Sequence, residues 1–197
     1  IINDSVLPKW LLALPRYLAI NYHDSLLPRY AGVHATSWAI LNHEKRHGIT
    51  WHIMASKLDA GDILKQKTIL IEKNDSALTL NAKCYQAALS AFNELINDLT
   101  LEKLLPIVQD LKQRSYFGLH SKPIGNGLID WRLSAIEIST IIKALSFGGY
   151  PNDFASPKVL IGQNVFIVQN FLEFNEESKK LPGTLLEIST NGIRIAA

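Results

Sequence analysis

The sequence predicts an α/β fold, a parallel sheet flanked by helices, followed by a small closed unit of short antiparallel strands. Three observations predict it. Short apolar runs alternate with helical patterns over the first hundred or so residues, the order that builds parallel sheets. A long amphipathic helix is legible over residues 77–98, where Leu80, Cys84, Ala87, Ala88, Ala91, Phe92 and Leu95 recur at helical spacing. Later the pattern turns into short β-rich runs separated by Gly162-Gln163-Asn164, Lys180-Leu181-Pro182 and Asn191-Gly192, the signature of a small antiparallel barrel.

Element by element, Ile1-Ile2-Asn3 reads as the end of a buried strand. Pro8 suits the first turn of a short helix over residues 9–14, because its missing N–H has no partner there anyway, and Pro15 closes it. Residues 18–20 form a short buried strand that delivers Asn21 and His23 at its carboxyl end. A loop with Pro28 and Gly32 follows, then a helix over 36–43, a strand over 49–54, a loop over 55–62 and a strand over 63–71. Asn74-Asp75-Ser76 supplies capping oxygens for the long helix. Ser134 and Glu137 form a capping box ahead of Ile138, Ile141, Ile142 and Leu145. Strands are expected at 158–161, 165–171, 183–188 and 192–195. The division that follows is a first domain over 1–110, a linker over 111–127 and a barrel-like domain over 128–197.

Composition narrows the classes. With 47% hydrophobic and 19% charged residues, the chain can pack a core and is not a disordered segment. No apolar run approaches the ~20 residues of a membrane span, and no secretory signal pattern is visible, so a cytoplasmic location without a membrane partner is expected. A net charge of +2 is too balanced for nucleic-acid binding by bulk electrostatics. The single cysteine, Cys84, forms no internal disulfide and reads as a buried structural thiol. The chain opens on Ile1 rather than Met and closes on Ile193-Arg194-Ile195, which reads as a piece of a larger polypeptide with further domains.

Chemistry concentrates at Asn21-Tyr22-His23. Alternation along a strand end places Asn21 and His23 on one face. Ligands of open α/β sheets bind beyond the carboxyl ends of strands. An amide beside an imidazole there can stabilise a developing oxyanion and move a proton, and a nearby carboxylate would orient the ring. Asp59 and Asp62 are the candidates for that carboxylate. No compact metal-ligand motif such as H-E-x-x-H accompanies His23, His52 and Asp59, so no metal is expected.

The surrounding residues carry a more specific signal. Asn21-Tyr22-His23-Asp24-Ser25-Leu26-Leu27-Pro28-Arg29-Tyr30-Ala31-Gly32 resembles the N-x-H-x-S-L-L-P-x-Y-x-G signature of formyltransferases that use 10-formyltetrahydrofolate. Gly48-Ile49-Thr50-Trp51-His52 resembles their G-x-T-x-H strand, and Leu58-Asp59-Ala60-Gly61-Asp62-Ile63-Leu64 their L-D-x-G-D-I-L loop. Phe117-Gly118, Ile129-Asp130-Trp131 and Leu181-Pro182-Gly183-Thr184-Leu185-Leu186 resemble the linker and barrel of the methionyl-tRNA and UDP-aminoarabinose formyltransferases. The resemblance implies the C-terminal part of a Rossmann-like formyltransferase sheet followed by an OB-like barrel.

It also implies a mechanism. An amine attacks the formyl carbon, Asn21 and protonated His23 stabilise the oxyanion, and Asp59 holds His23 charged, with water relaying the proton to the folate nitrogen. 10-Formyltetrahydrofolate would be the donor, its pterin bound mostly by backbone at Ser5, Val6 and Leu7 and at Met54, Ala55, Ser56, Lys57 and Leu58. His34 and His52 match histidines near the site in some members. Asp24 stands where the family usually has Pro or Gly, and the family's first strands with their glycine-rich turn have no counterpart in this chain.

His34-Ala35-Thr36-Ser37-Trp38-Ala39, Trp51-His52 and Tyr150-Pro151-Asn152 look closest to formyltransferase-like domains of bacterial peptide-synthetase or polyketide assembly lines, which implies a carrier-tethered aminoacyl acceptor. Small-molecule amines, amino-sugar nucleotides and initiator tRNA stay open, although Arg114, Lys122, Arg132, Lys143, Lys158, Lys179 and Lys180 are scattered rather than clustered. A formyl-folate hydrolase and a degenerate domain that binds without turnover are the rival classes.

Overall fold

A computed structural model describes residues 7–174, 176–190 and 192–197; the strand expected at residues 1–3, together with Ser5 and Val6, lies outside the described residues. The chain divides into two compact units, residues 1–121 and 122–197.

In the first unit, α1 (Lys9–Leu12) follows Pro8, whose extended backbone precedes the first turn. Then come β1 (Ile20–His23), β2 (Ala31–Gly32), α2 (Ala35–Leu41), β3 (Arg46–Ile53), β4 (Ile63–Leu70), α3 (Ala77–Thr100) and β5 (Tyr116–Phe117). α3 is capped as the sequence predicts: Ser76 Oγ accepts from Thr79 N–H, and Thr79 completes the box by accepting from Ser76 N–H. Its buried stripe is Ala77, Leu80, Cys84, Ala88, Ala91 and Leu95, of which Cys84, Ala88, Ala91 and Leu95 pack with Tyr22, Ile49, Trp51 and Leu64 from the sheet. Cys84 is part of this core, and burial pushes its thiol far above the ordinary range, so it is the structural thiol that its spacing suggested.

The sheet corrects one expectation. Its order is β1-β3-β4 and both pairings are antiparallel, not parallel. The connections explain this. Parallel neighbours need a crossover of a dozen or more residues, usually helical. Only residues 54–62 separate β3 from β4, and the seven-residue α2 is about 10 Å long at 1.5 Å per residue, too short to carry the chain back along an eight-residue strand. Among the described strands, only the short pair β2 and β5 runs parallel.

The second unit holds α4 (Ala135–Ala144), begun by the Ser134–Glu137 capping box, then β6 (Lys158–Ile161), β7 (Asn164–Ile167), β8 (Leu185–Ser189) and β9 (Gly192–Ile195). Ile129, Ile138, Ile142 and Val159 form its core, with Trp131, Leu133, Ile141, Val168 and Phe171 packed around them. The strands pair only as β6-β7 and β8-β9, and among the described residues no closed barrel forms. β7 ends at Ile167 rather than 171, none of the described residues of 168–184 lies in a strand, and every residue of β8 is exposed.

Candidate active site

The β1–β3 ladder sets Asn21 opposite His52, Tyr22 opposite Trp51, and His23 opposite Thr50. Side chains alternate across a strand, so Asn21, His23, Thr50 and His52 share one face while Tyr22 and Trp51 turn to α3. The register is held from the core side: the Tyr22 and Trp51 rings meet at 5.6 Å, and Trp51 Nε1 donates to Ala88 O at 3.1 Å. A one-residue slip would move the whole polar set into that core. Asn21 and His23 therefore lie on β1, whose carboxyl end is His23, as the sequence reading has them, but paired to an antiparallel neighbour.

Residues 24–33 fold over this face. Thr50 Oγ1 donates to Ser25 O at 2.6 Å and accepts from Leu27 N–H and Gln66 Nε2. Ser25 Oγ donates to Arg29 O. These bonds bring Tyr30 O to 2.8 Å from His23 Nε2. A carbonyl only accepts, so Nε2 carries a proton. The other ring nitrogen, Nδ1, is 3.9 Å from Asp59 Oδ2 and 3.9 Å from Asp24 Oδ1. A second ring proton would lie between two carboxylates.

Asp59 comes from the β3–β4 loop with a left-handed backbone, φ 51°, a conformation that Asp tolerates better than most residues. Its Oδ2 accepts from Gly32 N–H at 2.8 Å, and its Oδ1 is 3.7 Å from His52 Nε2. Gly32 has φ 102°, and a Cβ there would sit 2.0 Å from Phe117 O, so only glycine lets this amide reach the carboxylate. His23, His52 and Asp59 are all buried. Burial pushes His52 below the ordinary imidazole range, against the pull of the Ile53 carbonyl and Asp59, and likewise lowers His47.

Of the two candidate carboxylates, Asp59 lies beside His23, whereas Asp62 uses its backbone carbonyl to accept from Ile53 N–H. In the loop singled out for cofactor binding, Met54 N–H is taken by Ala19 O and Leu58 O by Arg114. Ala55, Ser56 and Lys57 of the same loop are exposed, and Leu7 is half-buried ahead of α1. His34 stands at the start of α2, itself left-handed at φ 58°. Among the described residues, no group of three or more His, Cys, Asp or Glu is arranged to hold a metal ion, and no helix is long and apolar enough to cross a membrane.

Two residues essential to this arrangement carry no local signal in the sequence. Gln109 is buried and its Nε2 donates to Asp59 O at 2.9 Å and Gly61 O at 2.6 Å, and Arg114 secures Leu58 O. Their partners are about fifty residues away in the chain, so only the tertiary fold shows them. Gln109→Leu keeps the volume but strips two buried carbonyls of their donor, so it should cost about 2 kcal/mol. Urea unfolding of the variant beside the wild type measures this; an unchanged midpoint would show that the loop does not depend on Gln109.

Residues 4–96 match the family model described as formyl transferase. The chain is 33% identical over 191 residues to a methionyl-tRNA formyltransferase of Clostridium novyi, covering 97% of this chain and 59% of the relative. It is 39% identical over 140 residues to a methionyl-tRNA formyltransferase of Caldanaerobacter subterraneus, covering 71% and 45%. The chain belongs to the formyl transferase family. It spans about half the length of these two relatives. Among solved structures it resembles the N-formyltransferase of Helicobacter canadensis, crystallised with folinic acid and dTDP-3-aminofucose, with a TM-score of 0.62, 26% identity, and coverage of 81% of this chain and 59% of that one. The first unit is thus part of the Rossmann-like α/β formyltransferase fold, and its antiparallel β1-β3-β4 ladder is the portion on which the polar face is built.

Proposed function

We propose that this chain carries the transfer chemistry of a folate-dependent formyltransferase, with Asn21, His23 and Asp59 as the catalytic residues. The observation that carries the reading is the buried His23 ring, tied through Nε2 to Tyr30 O with Asp59 beside Nδ1, on the same strand face as Asn21. Asn21 Oδ1 is buried without a hydrogen-bond partner among the described residues, an acceptor that suits a donor brought by a ligand, such as the N–H of an attacking amine. The folate supplies the formyl group: its carbon–nitrogen bond breaks as the bond to the amine forms, and the amine's proton passes to the folate nitrogen. Asn21 offers its amide N–H to the carbonyl oxygen as charge develops on it, and the His23 imidazolium offers Nδ1–H, since its Nε2–H is held by Tyr30 O and neither carboxylate is within bonding distance of Nδ1. Asp59, fixed by Gly32 N–H, orients the ring and balances its charge. Met54, Ala55, Ser56, Lys57 and Leu58, with Ser5, Val6 and Leu7, are proposed to line the pterin site, a reading supported by the folinic acid named for the Helicobacter canadensis relative.

For the acceptor we propose an amino group. The sequence resemblance points to a carrier-tethered aminoacyl group. The relatives' names point instead to methionyl-tRNA or a nucleotide-linked amino sugar. The scattered basic residues do not favour tRNA. Calorimetric titration of folinic acid into the full-length protein should give saturable binding, weakened by Ser56→Trp in the exposed part of the loop. Folded protein that binds no folinic acid would instead support a degenerate domain. Formyl transfer assayed with each acceptor class then separates them, and formate release without any amine would favour a hydrolase.

A further inference from the structure

His52 is 2% exposed, and its Nδ1 is 2.9 Å from Ile53 O. Because a carbonyl only accepts, the proton of the neutral ring is on Nδ1 and Nε2 is a bare lone pair. That nitrogen is buried with no hydrogen-bond partner among the described residues and faces Asp59 Oδ1 at 3.7 Å, beyond bonding distance. A lone pair facing a carboxylate attracts nothing, whereas the other Asp59 oxygen accepts from Gly32 N–H and lies toward His23. Adding a proton to Nε2 reverses this balance, since a charged N–H at the same place would form a strong bond to the carboxylate.

We propose that His52 is a positioning residue: its neutral ring leaves Asp59 directed at His23, and its charged ring draws the carboxylate away. The proposal rests on the reading of His23 and Asp59 as the reacting pair. The ionisable groups that bear on His52 are Asp59 from the β3–β4 loop, which favours its charged form, and His23 from β1, which opposes it. Asn21, directly opposite on β1, is uncharged. With burial holding His52 below the ordinary imidazole range, the competing state is populated only in acid, where it should lower kcat.

Two substitutions separate the ring's nitrogens. In His52→Asn the amide can still donate to Ile53 O but places nothing at the Nε2 position, so the acid limb of the kcat profile should extend to lower pH. In His52→Gln an amide N–H reaches toward Asp59 at every pH, so kcat should fall roughly tenfold with KM for the formyl donor unchanged. Identical acid limbs in wild type and His52→Asn, or wild-type kcat in His52→Gln, would overturn the proposal. Long-range proton–nitrogen NMR of the full-length protein reads the same coupling without turnover. A ring protonated on Nδ1 at neutral pH, with a titration midpoint that drops in Asp59→Asn, supports it; a ring protonated on Nε2, or a midpoint indifferent to Asp59→Asn, refutes it. Absence of formyl transfer by the wild type would sink the functional reading, and the NMR result would still decide whether His52 and Asp59 are coupled.

Discussion

Asp59→Asn should lower kcat for formyl transfer by roughly 10³- to 10⁴-fold, the scale seen when the carboxylate orienting a catalytic imidazole becomes an amide. The substitution is nearly isosteric. Asn tolerates the left-handed backbone at φ 51° about as well as Asp, and its amide oxygen can still accept from Gly32 N–H. The Asp59 backbone carbonyl keeps its bond from Gln109. What disappears is the negative charge 3.9 Å from His23 Nδ1, so the ring loses its orienting partner just as it must donate to the oxyanion. Binding of folinic acid, which depends on the loop's backbone and exposed residues, should stay within about twofold, a change of less than half a kcal/mol. Single-turnover rates beside calorimetric affinities separate the two effects. A variant that keeps more than a tenth of the wild-type rate would remove Asp59 from the catalytic set, and Asp24, equally distant from the same nitrogen, would become the carboxylate to test.

The same contrast shows how much was legible in the sequence. The helices were, because their signals are local: the stripe from Leu80 to Leu95 and the Ser134–Glu137 box depend on residues within a few turns. The polar face was partly legible. Asn21 and His23 two residues apart on a strand share a side whatever the topology, and the signature loops around Gly32 and Asp59 named the neighbours. The direction of pairing was not read, although the nine residues between β3 and β4 already exclude a parallel crossover. Periodicity records which face of a strand is buried but not which way its neighbour runs. Nor could sequence spacing reveal that Gln109 and Arg114 brace the Asp59 loop, since those bonds close over fifty residues. In the second unit, turn signals marked the short strands well, but turns alone do not supply the apolar layer that would close them into a barrel.

Gly61→Ala should be the most damaging single-methyl change in the site loop. The loop crosses the end of β3 so closely that a Cβ on Gly61 would lie 1.9 Å from Ile53 O and 2.8 Å from its carbonyl carbon. Both atoms are backbone, and Ile53 is held in place by its N–H bond to Asp62 O at 2.9 Å, so no side-chain rotation relieves the clash. Either β3 frays at Ile53 or the loop lifts, breaking the bond from Gln109 to Gly61 O. Overpacking of this kind costs about 3 kcal/mol. The kinetic penalty should be larger than the stability loss alone implies, because Asp59 is two residues away and a displacement of about 1 Å at a catalytic group costs on the order of a hundredfold in rate. Gly149→Ala, where the added carbon meets nothing among the described residues within 4 Å, is the matched control and should leave unfolding and turnover unchanged. If Gly61→Ala unfolded at the wild-type midpoint with full kcat, the loop would have another conformation that presents Asp59 equally well, and the close passage over Ile53 could not be what positions it.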